Sequence, residues 1–155
     1  MIPLAFNGSA FRKFRRLTWP DRLMVVEATL TLIYCSVAIA ILPFRYVARL
    51  STRSARGEPP EAEARLQIVK RVRWAVTACS KRMPFRSLCF EEGLTAHLML
   101  RRRGIPTVLY FGVARNETEG LQAHVWVRDG TKDVVGCENA DRFTVLKTFP
   151  QLDQT

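Results

Sequence analysis

Hydrophobic and polar positions follow two different rhythms along this chain: helical spacing or unbroken apolar runs as far as Arg103, and strand-like alternation after it. From Leu23 to Phe44 the residues are apolar on almost every side of a helix, with Glu27 the only charge. Thr18-Trp19-Pro20-Asp21 supplies the start, with Thr18 as cap, Pro20 in the first turn and Asp21 at the capping-box position. The predicted helix runs to about Leu42, where Pro43 stops or kinks it. Ser51 to Ala62 is polar, contains Gly57, Pro59 and Pro60, and reads as a linker. Glu61 to Arg82 is a second helix. In it Leu66, Val69, Val72, Val76 and Cys79 recur at three- and four-residue spacing, opposite a basic face expected to be solvated.

A third helix is predicted from Ser87 to Arg103. Pro84 ends the preceding segment, and Ser87 is placed to cap. Glu91 and Glu92 fall in the first turns and Arg101, Arg102 and Arg103 in the last, as the helix dipole favours. Gly104 is the expected stop, with Pro106 after it. Thr107 to Ala114 is rich in β-formers and reads as a central strand. Arg115 to Gly120 is a loop. In Leu121 to Arg128, His124, Trp126 and Arg128 face one way and Ala123, Val125 and Val127 the other. Asp129-Gly130 marks a hairpin turn, and Asp133 to Val135 returns antiparallel, ending at Gly136. Helices first and an antiparallel sheet second give an α+β fold with one long helix packed on the sheet.

Composition narrows the partners. The 155 residues, 48% of them hydrophobic, suffice for a single domain with a core, and the net charge of +10, mostly arginine, suits an anionic partner. A nucleic acid is not expected, because no phosphate-binding glycine loop or nucleic-acid module is present. Cys35, Cys79, Cys89 and Cys137 form no Cys-x-x-Cys pair and no ligand-like spacing with histidine, so neither a zinc site nor another cofactor is expected. Scattered cysteines and no cleavable signal fit a reducing cytoplasm. The apolar stretch 23–44 is long enough to span a bilayer. It leaves two readings open, a helix buried against the domain or a partner, and one inserted in or associated with a membrane. The basic residues on both sides of it give no orientation. Arg12, Lys13, Arg15 and Arg16, interleaved with Phe11 and Phe14, read as a solvated arm or a basic, aromatic contact site.

Candidate chemistry centres on Cys89 and His124. Cys89 falls in the first turn of its helix, where unpaired N–H groups and the dipole should lower a thiol pKa and could hold an oxyanion. The chain has two histidines. His97 lies on the same helix, roughly 12 Å along the axis from Cys89, and cannot reach the sulfur. His124 lies on another element and can. The plainer reading is a buried structural thiol and a half-buried strand histidine.

Cys89 opening a helix, Leu100 to Pro106 (LRRRGIP) closing it, Gly112-Val113 and the strand Ala123-His124-Val125-Trp126-Val127 resemble the transglutaminase-like fold. More narrowly they resemble the leader-peptidase half of the B protein of lasso-peptide biosynthesis. Leu42-Pro43-Phe44-Arg45 and Met83-Pro84-Phe85 are similar as well, so that the resemblance covers roughly residues 17 to 150. It implies a papain-like cysteine peptidase core in which Cys89 is the nucleophile and His124 the general base and then acid. Such a protein cuts the leader from a ribosomally made precursor. It works with a separate small leader-recognition protein and with a macrolactam synthetase resembling asparagine synthetase. The implied division is a basic arm 1–16, an apolar helical segment 17–50, a linker 51–62 and a peptidase core 63–155, in a cytoplasmic protein with residues 23–44 as its candidate membrane attachment.

The orienting acid of such a site is expected on the return strand of the hairpin. With Arg128 paired to Asp133, His124 falls opposite Cys137, a thiol where the acid should be. Glu138, Asp141, Asp133 or a backbone carbonyl remain as third members. Trp126 shares the His124 face and either shields the pair or simply packs in the core. Arg115 and Arg128 flank the expected cleft and suit an acidic leader. The missing acid also supports an alternative: a weakly active or inactive transglutaminase-like scaffold that binds a precursor peptide or a partner enzyme.

Overall fold

A computed structural model describes residues 14–52, 55–83, 89–116 and 120–151. The elements are α1 (Trp19–Ile41), α2 (Phe44–Ser51), α3 (Ala62–Ser80), α4 (Cys89–Arg101), β1 (Val108–Asn116), β2 (Gly120–Asp129), β3 (Lys132–Val135) and β4 (Thr144–Phe149), with a 3-10 turn at Ala140–Arg142 before β4. The strands form one antiparallel sheet in the order β3-β2-β1-β4, so the fold is α+β as expected. The cap Ser87, with Pro84 and Phe85, lies outside the described residues, as do Phe11, Arg12 and Lys13 of the arm. The sequence pattern did not anticipate α2 as a separate helix, nor β4. Residues 144–147 of β4 are all exposed and only Phe149 at its end enters the core, which leaves no alternation to read.

The helices form a layer on one face of the sheet. Val125 and Val127 of β2 and Leu109 of β1 join Val72 and Val76 of α3, Ala96 and Leu100 of α4, and Met24, Ala28 and Leu32 of α1 in one core. The long apolar helix is therefore buried along its inner face. Gly93 of α4 is seated directly on β2: a Cβ there would come within 2.9 Å of Val125 Cγ1. The end of α4 closes as expected, with Ile105 N–H donating to Leu100 O and Gly104 N–H to Arg101 O, and Gly104 in the left-handed region at φ 77°.

The arginines of α3 depart from a solvated face. Arg65 forms a two-pronged pair with the buried Asp129 at the end of β2, Arg71 Nη2 donates to Asp21 of α1 at 2.6 Å, and Arg73 reaches Glu138 at 3.2 Å. At the end of α4, Arg102 and Arg103 hold Glu27 of α1. The one charge inside the apolar helix is thus an anchor to α4.

His97 is wholly buried. Its Nε2–H donates to Ser51 O at 2.8 Å, and the Thr107 hydroxyl lies 3.0 Å from Nδ1, which leaves the neutral ring fully bonded. Burial pushes its pKa down to about 4, against an opposing bond to Ser51. The folded state thus refuses a proton that the unfolded chain accepts below about pH 6.5. Stability from His97 is complete above that value and lost as pH falls through about 4, up to about 3 kcal/mol. Urea midpoints measured from pH 7 to pH 4 should fall accordingly, and His97→Gln should flatten that part of the profile. Replacing Gly93 by valine should cost roughly 1–3 kcal/mol in the same assay, because Val125 has no room to retreat.

Candidate active site around Cys89 and His124

Cys89 is the first residue of α4 and its thiol is half-buried. Two features hold it there. Its neighbour Phe90 packs against Phe44 of α2 and Phe111 of β1, with ring centres 6.2 and 6.5 Å apart. The backbone N–H groups of Val125 on β2, of Phe90 and of Cys89 itself lie on the sulfur's side and favour its charged form. The thiol thus lands on the backbone of the residue next to His124. The sequence predicts a lowered thiol pKa at a helix start. In the structure burial pushes it up instead, outweighing the three N–H groups, and the Glu91 carboxylate adds to the rise.

The His124 imidazole is held from three directions. Its ring lies 4.9 Å from that of Phe143 and 6.0 Å from that of Trp126, and Nε2 is 2.7 Å from Gly136 O. A carbonyl can only accept, so Nε2 carries the proton and Nδ1 the lone pair. Strand alternation sends Val125 to the helix layer and His124 to the other face. The thiol and the imidazole therefore approach the same stretch of β2 differently, the first at its backbone and the second from its outer side. Among the described residues no hydrogen bond joins the two.

The expected place for the acid turns out otherwise. Arg128 pairs with Asp133, but the register slips by one residue, so that Val127 pairs with Val135. Continued, that register would set position 138, not Cys137, opposite His124. The strand stops instead at Val135, and Gly136 turns the chain away at φ 73°. Cys137 donates its thiol to Val127 O at 3.2 Å. Glu138 goes to Arg73 and Asp133 to Arg128, while Asp141 sits exposed in the 3-10 turn. The group at His124 is the Gly136 main-chain carbonyl, and a carbonyl leaves no residue-type signal in a sequence.

Trp126 is 2% exposed and stacks on Tyr110 at 5.5 Å, with its ring edge over Gly112, where a side chain would collide with it. It is a core residue beside the imidazole. Arg128 is occupied by Asp133, whereas Arg115 is exposed. No group of three or more His, Cys, Asp or Glu side chains suited to a metal ion occurs among the described residues.

The chain thus sets a helix headed by a cysteine on an antiparallel sheet that carries a histidine. The chain matches the family model of the transglutaminase-like superfamily over residues 29–148, and it belongs to that superfamily, which includes cysteine peptidases. No curated protein and no solved structure matches it.

A thiol raised by burial makes a specific demand on reactivity. Alkylation of Cys89 by iodoacetamide, followed by mass spectrometry of its peptide, should be slow at pH 7 and climb steadily into the alkaline range. A rate that is already on a plateau at pH 6 would show a preformed thiolate instead.

Proposed function

We propose that the protein is a cysteine endopeptidase that removes the leader from a ribosomally made lasso-peptide precursor. What supports this reading is the superfamily membership together with a cysteine at the head of α4, near the Val125 backbone, and a neighbouring histidine whose Nε2 is held by Gly136 O. This reading requires His124 to come within reach of Cys89: Nδ1 then takes the proton from the neutral thiol as sulfur attacks the scissile carbonyl. Backbone N–H groups at the head of α4 donate to the oxyanion. The protonated imidazole then gives its proton to the leaving amine as the C–N bond breaks. Water, deprotonated by His124, hydrolyses the thioester and frees the thiol. The Gly136 carbonyl replaces the missing acid as the orienting group. It holds the ring but carries no charge to stabilise an imidazolium.

The proposed partners are an acidic leader peptide, a separate small recognition protein, and an asparagine-synthetase-like enzyme that closes the ring on the new N-terminus. A second reading, a scaffold that binds the precursor without cutting it, is favoured by the raised thiol and by the lack of a carboxylate at His124 among the described residues. Mass spectrometry of a candidate precursor incubated with the chain and its recognition partner decides between them. Cleavage should appear with the wild type and drop by roughly a thousandfold or more in both Cys89→Ala and His124→Ala. Cleavage that survives Cys89→Ala, or binding without any cleavage, would sink the peptidase reading.

A further inference from the structure

The outer face of α1 is not accounted for by the site. Trp19, Leu23, Leu30, Tyr34, Val37 and Ile41 stand exposed at three-, four- and seven-residue spacing along it, with Trp19, Leu30 and Ile41 each more than 60% exposed. They form one apolar stripe along a helix roughly 34 Å long. A shallow groove on this face is lined by Leu23, Val26, Leu30 and Tyr34, with Glu27, Thr31 and Arg102 along its other side. The two carboxylates of α1 are engaged elsewhere, Asp21 by Arg71 and Glu27 by Arg102 and Arg103. Basic residues stand at both ends. Arg15 and Arg16 are exposed before the helix, and after it the Arg45 and Arg49 guanidinium groups lie 5.0 and 5.6 Å from the centre of the exposed Tyr46 ring.

We propose that this face rests in the surface of an anionic lipid bilayer, with α1 lying parallel to the membrane plane. Two constraints select that arrangement. Met24, Ala28, Leu32, Cys35 and Ala38 on the opposite face are buried in the fold, so α1 cannot cross a membrane without leaving its own core. The net charge of +10 repels a second copy of the chain and attracts anionic headgroups. An exposed apolar stripe with arginine and aromatic residues at its ends suits the boundary between headgroups and acyl chains, with the protein's own core covering the other face of the helix. This inference does not depend on the peptidase reading.

Sedimentation of the full-length chain with lipid vesicles tests it. The chain should pellet with vesicles of equal parts phosphatidylglycerol and phosphatidylcholine, not with phosphatidylcholine alone, and should be released by about 1 M salt. Leu30→Glu should abolish binding, with its helical circular dichroism unchanged. If that variant does not fold, the surface pair Arg45→Ala and Arg49→Ala decides, and should weaken binding by roughly thirtyfold. Failure to bind anionic vesicles, or wild-type binding by the arginine pair variant, overturns the proposal. So does a wild-type dimer in light scattering that Leu30→Glu converts to a monomer, which would assign the stripe to a second copy.

Discussion

The seat of α4 on β2 is the constraint on which the rest depends. Gly93 lets the helix come down onto Val125 at a distance no side chain would allow, and the Phe90 contacts with Phe44 and Phe111 fix its first turn. Once helix and strand are locked at that spacing, the Cys89 sulfur has a backbone N–H of β2 within reach. The residue supplying it is the neighbour of His124. The site is therefore a consequence of how closely a helix lies on a sheet, a matter of packing before it is one of chemistry.

That same packing sets the chemical character of the thiol. Three N–H groups favour the thiolate, yet burial favours the thiol, and burial dominates. A nucleophile held neutral depends on its base at the moment of attack, which places the weight of the proposed mechanism on how His124 is oriented. Gly136 O does this by geometry alone. The left-handed turn at Gly136 ends β3 and redirects Cys137, Glu138 and Asp141 away from the imidazole. One turn thus removes the candidate acids and supplies the carbonyl in their place.

The abundance of arginine also acquires a structural meaning. Arg65, Arg71, Arg102 and Arg103 tie α3 and α4 to the hairpin and to α1, each through a carboxylate on another element. Exposed members of the set contribute little individually, but Arg65 gives the buried Asp129 carboxylate a two-pronged partner. Exposed basic residues such as Arg15, Arg16, Lys81, Arg82, Arg115, Lys132 and Lys147 confer the protein's outward charge.

The three long helices, their order ahead of an antiparallel sheet, the stop at Gly104 and the pairing of Arg128 with Asp133 were all legible in the sequence. Each follows from local periodicity or from a residue with a fixed backbone preference. Cys89 and His124 could be picked out for the same reason: one stands at a helix start, the other on an alternating strand. The sequence could not decide where the His124 partner would come from, because a one-residue slip in register and a main-chain carbonyl depend on no particular side chain. Nor could it decide the protonation of the Cys89 thiol, or which face of α1 is covered. Those depend on how much solvent the folded neighbours exclude, and only the tertiary structure brings those neighbours together.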